Sequence, residues 1–249
     1  MRYFESPAYA EYCKRVYGGD MRQMGMITIE ELTLLKQEVT LPPNSRILDM
    51  GCGAGHISHF LSEHYQSNIE GIDYDDEAIE YAKKAHEDNQ ALSFHAMDYN
   101  EVHYDDATFD MVCFIDTLYF TFTREKLRAL LDKSYAMLKE KGKLVVFWTN
   151  LPQMFEMADP AAMNTEVGKW GVDNNVSMNS IDLTTAHRQF WSTAYTEALS
   201  MDEILQAEIP EEWEHLMNER VIVSGLCEKG DAGGIYRWLY VFTKNNDKD

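Results

Sequence analysis

The chain has 249 residues, enough for one large α/β domain or one domain with a cap, and its 45 % apolar and 26 % charged residues are ordinary for a globular protein. A formal net charge of −20 argues against nucleic acid and anionic membrane as partners, because both need clusters of Lys and Arg to displace counterions. No apolar run approaches the roughly 20 residues of a membrane span, and the opening MRYFESPAYAEY lacks the apolar core of a signal peptide. Four scattered cysteines without a CxxC pair (Cys13, Cys52, Cys113, Cys227) point to reduced thiols in a cytoplasmic protein.

In chain order, the tyrosine-rich stretch Tyr3 to Tyr17 reads as a short helix stopped by Gly18-Gly19-Asp20. Apolar residues at Ile27, Leu32, Leu35 and Val39 mark a second helix, which Pro42-Pro43-Asn44 breaks. These first 40 residues are read as a flap, with ordinary amphipathic packing as the alternative. Next comes RILDMGCGAGHIS, residues 46–58: a short apolar strand ending in Asp49, glycines at 51, 53 and 55, and an apolar-periodic segment (Ile57, Phe60, Leu61) opening a helix to about Tyr65. Glycines there admit positive φ and let a ligand approach the main chain, and the helix start turns free N–H groups toward it.

A strand at Asn68–Ile72 follows and ends in Asp73-Tyr74-Asp75. Asp73 lies about 20 residues beyond the glycines, where an α/β nucleoside site places the carboxylate for ribose hydroxyls. A helix over 76–87, a strand over 91–96 ending near Asp98-Tyr99, and the all-apolar strand FDMVCFI at 109–115 come next. That strand runs into Asp116-Thr117-Leu118-Tyr119, followed by a helix over 124–138 and a strand over 143–148. Such alternation specifies a doubly wound parallel sheet. Beyond Asn150 the pattern predicts a Met- and Phe-rich helix over 152–169 interrupted by Pro160, a short strand near 177–183, helices over 186–205 and 211–227, and a last strand over 235–243. The helical pair is too long for a simple connection and is the natural substrate cap.

The run LDMGCGAG, GIDYD, MDYN, FDMVCFIDTLYF and LKEKGKLVV resembles the class I S-adenosylmethionine-dependent methyltransferases, over roughly residues 40–150. The flap and the ending RWLYVFTK also fit members acting on small molecules. The resemblance implies an α/β, doubly wound, mostly parallel seven-stranded Rossmann-like sheet with a helical cap insertion. Its parts would be a flap (1–40), a cofactor-binding core (41–150), and the remaining strands with a cap at about 185–230 (151–249). Asp49, Gly51, Gly53 and the backbone near Cys52 would hold the methionine part of S-adenosylmethionine, whose product is S-adenosylhomocysteine. Asp73 would take the ribose hydroxyls, Tyr74 would pack on the adenine, and Asp98 with Tyr99 would meet the adenine amino group. Asp116 would face the methionine ammonium or the substrate, and Tyr17 is placed with the cofactor residues. A carboxylate at Asp49 would repel a pyrophosphate but suits an ammonium, which disfavours NAD and FAD.

Methyl transfer from a sulfonium needs mainly alignment, with a general base required only for a hydroxyl or protonated amine. Asp116, Tyr119 and His187 are the catalytic candidates, with a structural histidine as the alternative for His187. Tyr9, Tyr119, Arg188 and Trp191 are assigned to a small-molecule substrate, and Arg188, Arg220 and Arg237 could each clamp a carboxylate or simply pair with surface acids. Phe120, Phe122, Trp148, Phe155 and Trp170 add aromatic faces near the expected mouth, or fill core. His56, His59 and His64 do not supply a metal set. Cyclisation, aminocarboxypropyl transfer and non-catalytic cofactor binding are the rival readings. Monomer and homodimer are both open.

Overall fold

The computed structural model describes residues 1–121, 123–150 and 161–245. Strands β1 (Arg46–Met50), β2 (Asn68–Asp73), β3 (Leu92–Ala96), β4 (Phe109–Ile115), β5 (Leu138–Asn150), β6 (Ser177–Asp182) and β7 (Tyr236–Thr243) form one sheet in the order β3-β2-β1-β4-β5-β7-β6. The first five strands of the chain pair in parallel, while β7 runs antiparallel to both β5 and β6. This is the mostly parallel, doubly wound sheet that the alternation predicts. Helices α1 (Pro7–Tyr17), α2 (Ile29–Glu38), α3 (His56–Tyr65), α4 (Asp76–Ala85), α5 (Arg124–Ala136), α6 (Glu166–Asp173), α7 (Thr184–Glu208) and α8 (Pro210–Cys227) complete the described elements.

The core lies along the central strands, where Ile47, Leu48 and Met50 of β1 and Phe109, Met111, Val112, Cys113 and Phe114 of β4 are wholly buried. Apolar side chains on both faces of these strands are what helices packed on either side of a parallel sheet require. Because β1 has β2 on one flank and β4 on the other, the chain reverses its winding there. Open α/β sheets bind ligands in the crevice outside the strand carboxyl ends at such a point.

Local chemistry sets the helix starts. Ser6 caps α1 by accepting from the Tyr9 N–H at 2.9 Å, and Thr28 and Glu31 form a capping box on α2. Pro210 occupies the first turn of α8, which separates it from α7. The cap helices therefore follow one another between β6 and β7, and α7 packs against α1.

The main departures from the sequence reading lie around β5 and just after Asn150. The helix expected to reach Leu138 ends at Ala136, and β5 begins at Leu138 rather than 143, with Phe109 opposite Leu138 before the register shifts toward Met111–Lys143. Residues Glu140-Lys141-Gly142 lie within this longer strand as an irregularity, with Lys141 at φ 62°. Of the helix expected over 152–169, the part up to Pro160 lies outside the described residues; beyond it come a short 3-10 turn at Ala162–Asn164 and α6.

Gly55 shows how tightly the glycine turn is built. It has φ +79°, and a Cβ placed there would stand 2.7 Å from Cζ of Phe94. Gly55→Ala is expected to lower stability by the sum of about 1–2 kcal/mol for a left-handed non-glycine residue and about 1–3 kcal/mol for overpacking. The urea-unfolding midpoint checks this.

Candidate functional site

A cavity of about 400 Å³ opens at the carboxyl ends of β1, β2 and β4, within the ~300–1,000 Å³ range of small-molecule clefts. Its floor is the turn Gly51-Cys52-Gly53-Ala54, its sides are Asp73-Tyr74-Asp75 and Ile115-Asp116-Thr117, and its roof is Tyr3, residues 21–25 and one face of α8. The floor is pinned in place, because the N–H groups of Gly51 and Cys52 both donate to the Ile72 carbonyl, at 2.8 and 2.9 Å. A Cβ at Gly51 would meet Thr117 at 2.5 Å, so glycine is what lets the floor and the β4 loop close together.

Asp73 is set by two backbone donors: Gly53 N–H gives to Oδ2 at 2.8 Å and Asp75 N–H to Oδ1 at 3.0 Å. Burial raises its carboxyl above the usual range, and these hydrogen bonds only partly offset that. Asp116, at φ +58°, also faces the cavity. Its oxygens receive the Arg237 guanidinium at 2.6 and 3.1 Å and the Met26 N–H at 2.9 Å. Arg237 is completely buried and donates on its other side to both oxygens of Glu31, at 2.8 and 3.2 Å, and to Thr149 Oγ1 at 2.8 Å. One guanidinium thus serves two buried carboxylates.

Arg2 closes the outer edge. Its three nitrogens reach Asp75 at 2.6 Å, Glu77 at 2.5 Å and Glu212 at 2.8 Å, joining the β2 side of the cavity to α8. The short 3-10 turn that follows it places Tyr3 over the floor, with its hydroxyl 3.6 Å from where a Gly53 Cβ would stand.

Of the residues singled out from sequence, Gly51, Cys52, Gly53, Asp73, Tyr74 and Asp116 line this cavity together, with Tyr74 at the rim and 75 % exposed. The others do not. Asp49 lies beneath the floor, buried, where it accepts from Ser58 Oγ at 2.6 Å; it braces α3 and is not part of the cavity lining. Burial lifts its carboxyl to about 6. Asp98 is exposed beyond the cavity and folds back onto Asn100, accepting its N–H and side-chain amide at 2.8 Å each. Tyr99 donates to the Thr117 carbonyl at 3.0 Å, supporting the β4 loop from behind.

Tyr9 and Tyr17 stand behind the wall. Tyr9 donates to the Gln23 carbonyl at 2.6 Å, and Tyr17 accepts from Arg220 at 3.2 Å. Tyr119 donates to Asp116 at 3.3 Å and accepts the Thr149 N–H at 2.5 Å, and burial pushes its phenol far up. His187 and Trp191 are buried against each other in α7, the indole N–H reaching His187 Nε2 at 2.9 Å; burial pushes this imidazole well below its ordinary value, and Arg237 adds to it. Arg188 is turned to Asp231 at 2.9 Å and the Ile235 carbonyl. The catalytic reading of His187 and the substrate readings of Tyr9, Arg188 and Trp191 therefore do not meet the cavity: the apolar face of α7 packs inward as core. Trp148 and Trp170 are likewise buried core, while the Phe120 side chain, Phe122 and Phe155 lie outside the described residues. The histidines of α3 pack on aromatic rings, His59 on His86 at 4.9 Å and His64 on Phe60 at 3.8 Å.

Sequence reasoning expected a flap and a cap but named none of the side chains that form the roof as a site residue. Glu212, His215, Leu216 and Glu219 face the cavity from α8, at the i, i+3, i+4, i+7 spacing of one helical face. That spacing is present in EEWEHLMNE, but nothing local says which face turns inward. Arg220 and Arg237 proved to be buried structural cations, neither substrate clamps nor surface pairs.

The sequence profile of a methyltransferase domain family matches residues 47–142, the segment that carries the glycine turn and Asp73. That segment is a match to a methyltransferase domain, in keeping with the S-adenosylmethionine-dependent enzymes its motifs resemble. Among similar proteins, phosphoethanolamine N-methyltransferase 1 of Arabidopsis thaliana is 27 % identical over 135 residues, covering 53 % of this chain but only 26 % of its own length. The ubiquinone biosynthesis O-methyltransferase of Coxiella burnetii is 25 % identical over 181 residues, covering 72 % of this chain and 73 % of that protein. The phosphoethanolamine N-methyltransferase 2 of Haemonchus contortus, solved with phosphomonomethylethanolamine and S-adenosylhomocysteine, superposes with a TM-score of 0.74 at 14 % identity, over 98 % of this chain and 60 % of that one. The cyclopropane synthase MmaA2 of Mycobacterium tuberculosis gives 0.73 at 13 % identity over 97 % and 96 %. At these identities the structural likeness is one of fold.

Two outcomes test the site's electrostatics. With the Asp49 carboxyl raised from 3.8 to about 6, the folded chain binds a proton between those values that the unfolded chain does not. Stability therefore falls as pH rises through that window. The carboxyl ¹³C shift of Asp49 should titrate near 6, and Asp49→Asn should flatten the corresponding part of the stability–pH curve. Arg237→Met leaves Glu31 and Asp116 uncompensated and should cost about 3–5 kcal/mol in urea unfolding at neutral pH. The deficit should shrink at acid pH, where the orphaned Glu31 carboxyl, already raised by burial, protonates.

Proposed function

We propose that this chain transfers the methyl group of S-adenosylmethionine to nitrogen or oxygen of a small molecule, mainly by positioning. The observation that carries this is the convergence of the glycine floor and the preset Asp73 carboxylate on one cavity at the β1/β4 reversal. In this reading Asp73 accepts the ribose hydroxyls, the backbone of Gly51–Gly53 lies against the nucleoside and methionine arm, and Tyr74 packs on the adenine. Asp98, two residues past the end of β3, serves the adenine amino group from the outer edge. Asp116 faces the methionine ammonium. Asp49 acts one layer down, by holding α3 under the turn through Ser58.

The lining fits a cationic cofactor. Asp73, Asp75 and Asp116 line the strand-end side of the cavity, and a sulfonium and an ammonium both gain from the field of such carboxylates. When bound, the cofactor supplies an electrophilic methyl group on a sulfonium that becomes a neutral thioether on transfer. The protein residues align the acceptor, hold the charges and keep water out. Neither oxygen of Asp116 is free for proton transfer, because Arg237 occupies both. Tyr119 is tied to Asp116 and Thr149, and His187 does not reach the cavity. Rate enhancement in this reading comes from orientation. The roof of Tyr3, residues 21–25 and α8 favours a small acceptor over a protein, in keeping with the small molecules in the names of the plant and Coxiella relatives.

Incubation of the protein with S-adenosylmethionine and a pool of amines, amino acids and phenols should yield S-adenosylhomocysteine and one species heavier by a methyl group, read by mass spectrometry. Methylthioadenosine instead would move the reaction to the other arm of the cofactor, and tight binding without turnover would make the chain a binding module. Asp73→Asn should weaken cofactor binding by the worth of a charged hydrogen bond, about 1.5–3 kcal/mol, or roughly 10- to 150-fold in Kd by calorimetry. An unchanged Kd would remove Asp73 from the ribose.

A further inference from the structure

Among the described residues, the cavity has two guanidiniums in its lining, Arg2 and Arg22, and both are engaged. Arg2 directs all three nitrogens to Asp75, Glu77 and Glu212. Arg22 directs Nε and Nη2 to Asp20, at 3.0 and 3.3 Å, and Nη1 to the Phe4 carbonyl and the Tyr81 hydroxyl, at 2.7 and 3.1 Å. A phosphate or carboxylate entering here would find no unengaged guanidinium and would face carboxylates on both walls.

Glu219 stands out among these carboxylates. It lines the roof from α8, with its side chain 34 % exposed. Its nearest cation, Arg220, is 3.4 Å away and aims mainly elsewhere, at the Tyr12 and Tyr17 hydroxyls (2.6 and 3.2 Å) and the Leu216 carbonyl (3.1 Å). Burial pushes the Glu219 carboxyl up; Arg220 and His215 draw it back, and the Asp116 charge adds to the rise. Asp73 and Asp75 meet the cavity on the β2 side, and Glu212 is already held by Arg2. Glu219 is therefore the carboxylate on the cap side left to receive a cation.

Resting on the methyl-transfer reading, we propose that the methyl acceptor is an amine without a phosphate or carboxylate group, which enters as its ammonium and is held by the Glu219 carboxylate on α8. The cavity at the strand ends makes the site, and the charge of its lining selects what enters. The balance is simple. The ammonium gives one proton to the Glu219 carboxylate, and the freed nitrogen lone pair forms the new N–C bond. The C–S bond breaks with its electron pair going to sulfur, and Glu219 releases its proton to solvent. A cation at this place also relieves the repulsion between Glu219 and Asp116, so the same carboxylates that bind the amine disfavour its anionic analogues.

Benzylamine, benzoate and phenyl phosphate, similar in size and different in charge, test this directly. Titrated into the protein saturated with S-adenosylhomocysteine, benzylamine should bind at least tenfold more tightly than either anion. Glu219→Gln should weaken benzylamine at least tenfold and leave cofactor affinity within about threefold, while Glu219→Asp should recover part of the loss. With S-adenosylmethionine, turnover across an acceptor panel should be confined to amines lacking an anionic group, and KM should rise in Glu219→Gln. Equal or tighter binding of phenyl phosphate or benzoate, or a benzylamine affinity indifferent to Glu219→Gln, would overturn the inference. Because the titration needs no chemistry, a protein that binds benzylamine through Glu219 yet forms no S-adenosylhomocysteine would defeat the methyl-transfer reading and leave the amine site standing. Turnover of phenols or phosphorylated amines would do the reverse.

Discussion

Much of this molecule depends on one buried guanidinium. Arg237, on the antiparallel strand β7, holds Glu31 of α2 and Asp116 at the end of β4 at once, and touches Thr149 of β5. Glu31 belongs to the capping box of its own helix, so the same carboxyl that starts α2 also anchors it to the sheet 206 residues away. Two carboxylates sharing one cation leave a buried excess of negative charge, which the interior tolerates because each oxygen is hydrogen-bonded. Asp116 is the end of this arrangement that reaches the cavity.

The cavity is an assembly of pieces distant in the chain. Its floor comes from the turn after β1, one side from the end of β2, the other from the end of β4, and its roof from the N-terminal residues and α8. The walls have a second layer of tyrosines: Tyr9 supports the backbone at Gln23, Tyr99 supports Thr117, and Tyr12 and Tyr17 hold Arg220 under α8. Such supports fix the lining without entering it. Arg2 differs in kind, since its three ion pairs lie at the surface with its side chain 37 % exposed. Pairs of that sort contribute little to global stability, and their effect is to tie α8 to the β2 side of the cavity.

The acidity of the chain acquires a local meaning here. A net charge of −20 by itself speaks to solubility and to the exclusion of polyanions. In the reading offered above, the carboxylates around a cavity whose described arginines are engaged make the same excess a filter for positive charge. A glycine floor beside the Asp73 carboxylate is compatible with many acceptors, and in that reading the roof decides among them.

The glycine turn, the strand before it, the Asp73 carboxylate and the parallel order of the first five strands were legible in the sequence. Each depends on residues close together in the chain: apolar runs of strand length, glycines where φ is positive, an acid at a strand end. The fates of Asp49, Tyr9, Tyr17, His187, Arg188 and Trp191 were not. Periodicity tells that a face of α7 is apolar but not whether it meets a ligand or the core, and an acid at a strand end does not reveal that Asp49 turns down to Ser58. Arg2, Arg237 and the α8 stripe became functional neighbours only through contacts spanning most of the chain. Sequence alone determined the turn that builds the cradle, because backbone geometry and hydrophobic period are local. Tertiary packing decided which charges surround it, because the partner of a charge is set by what the fold brings near.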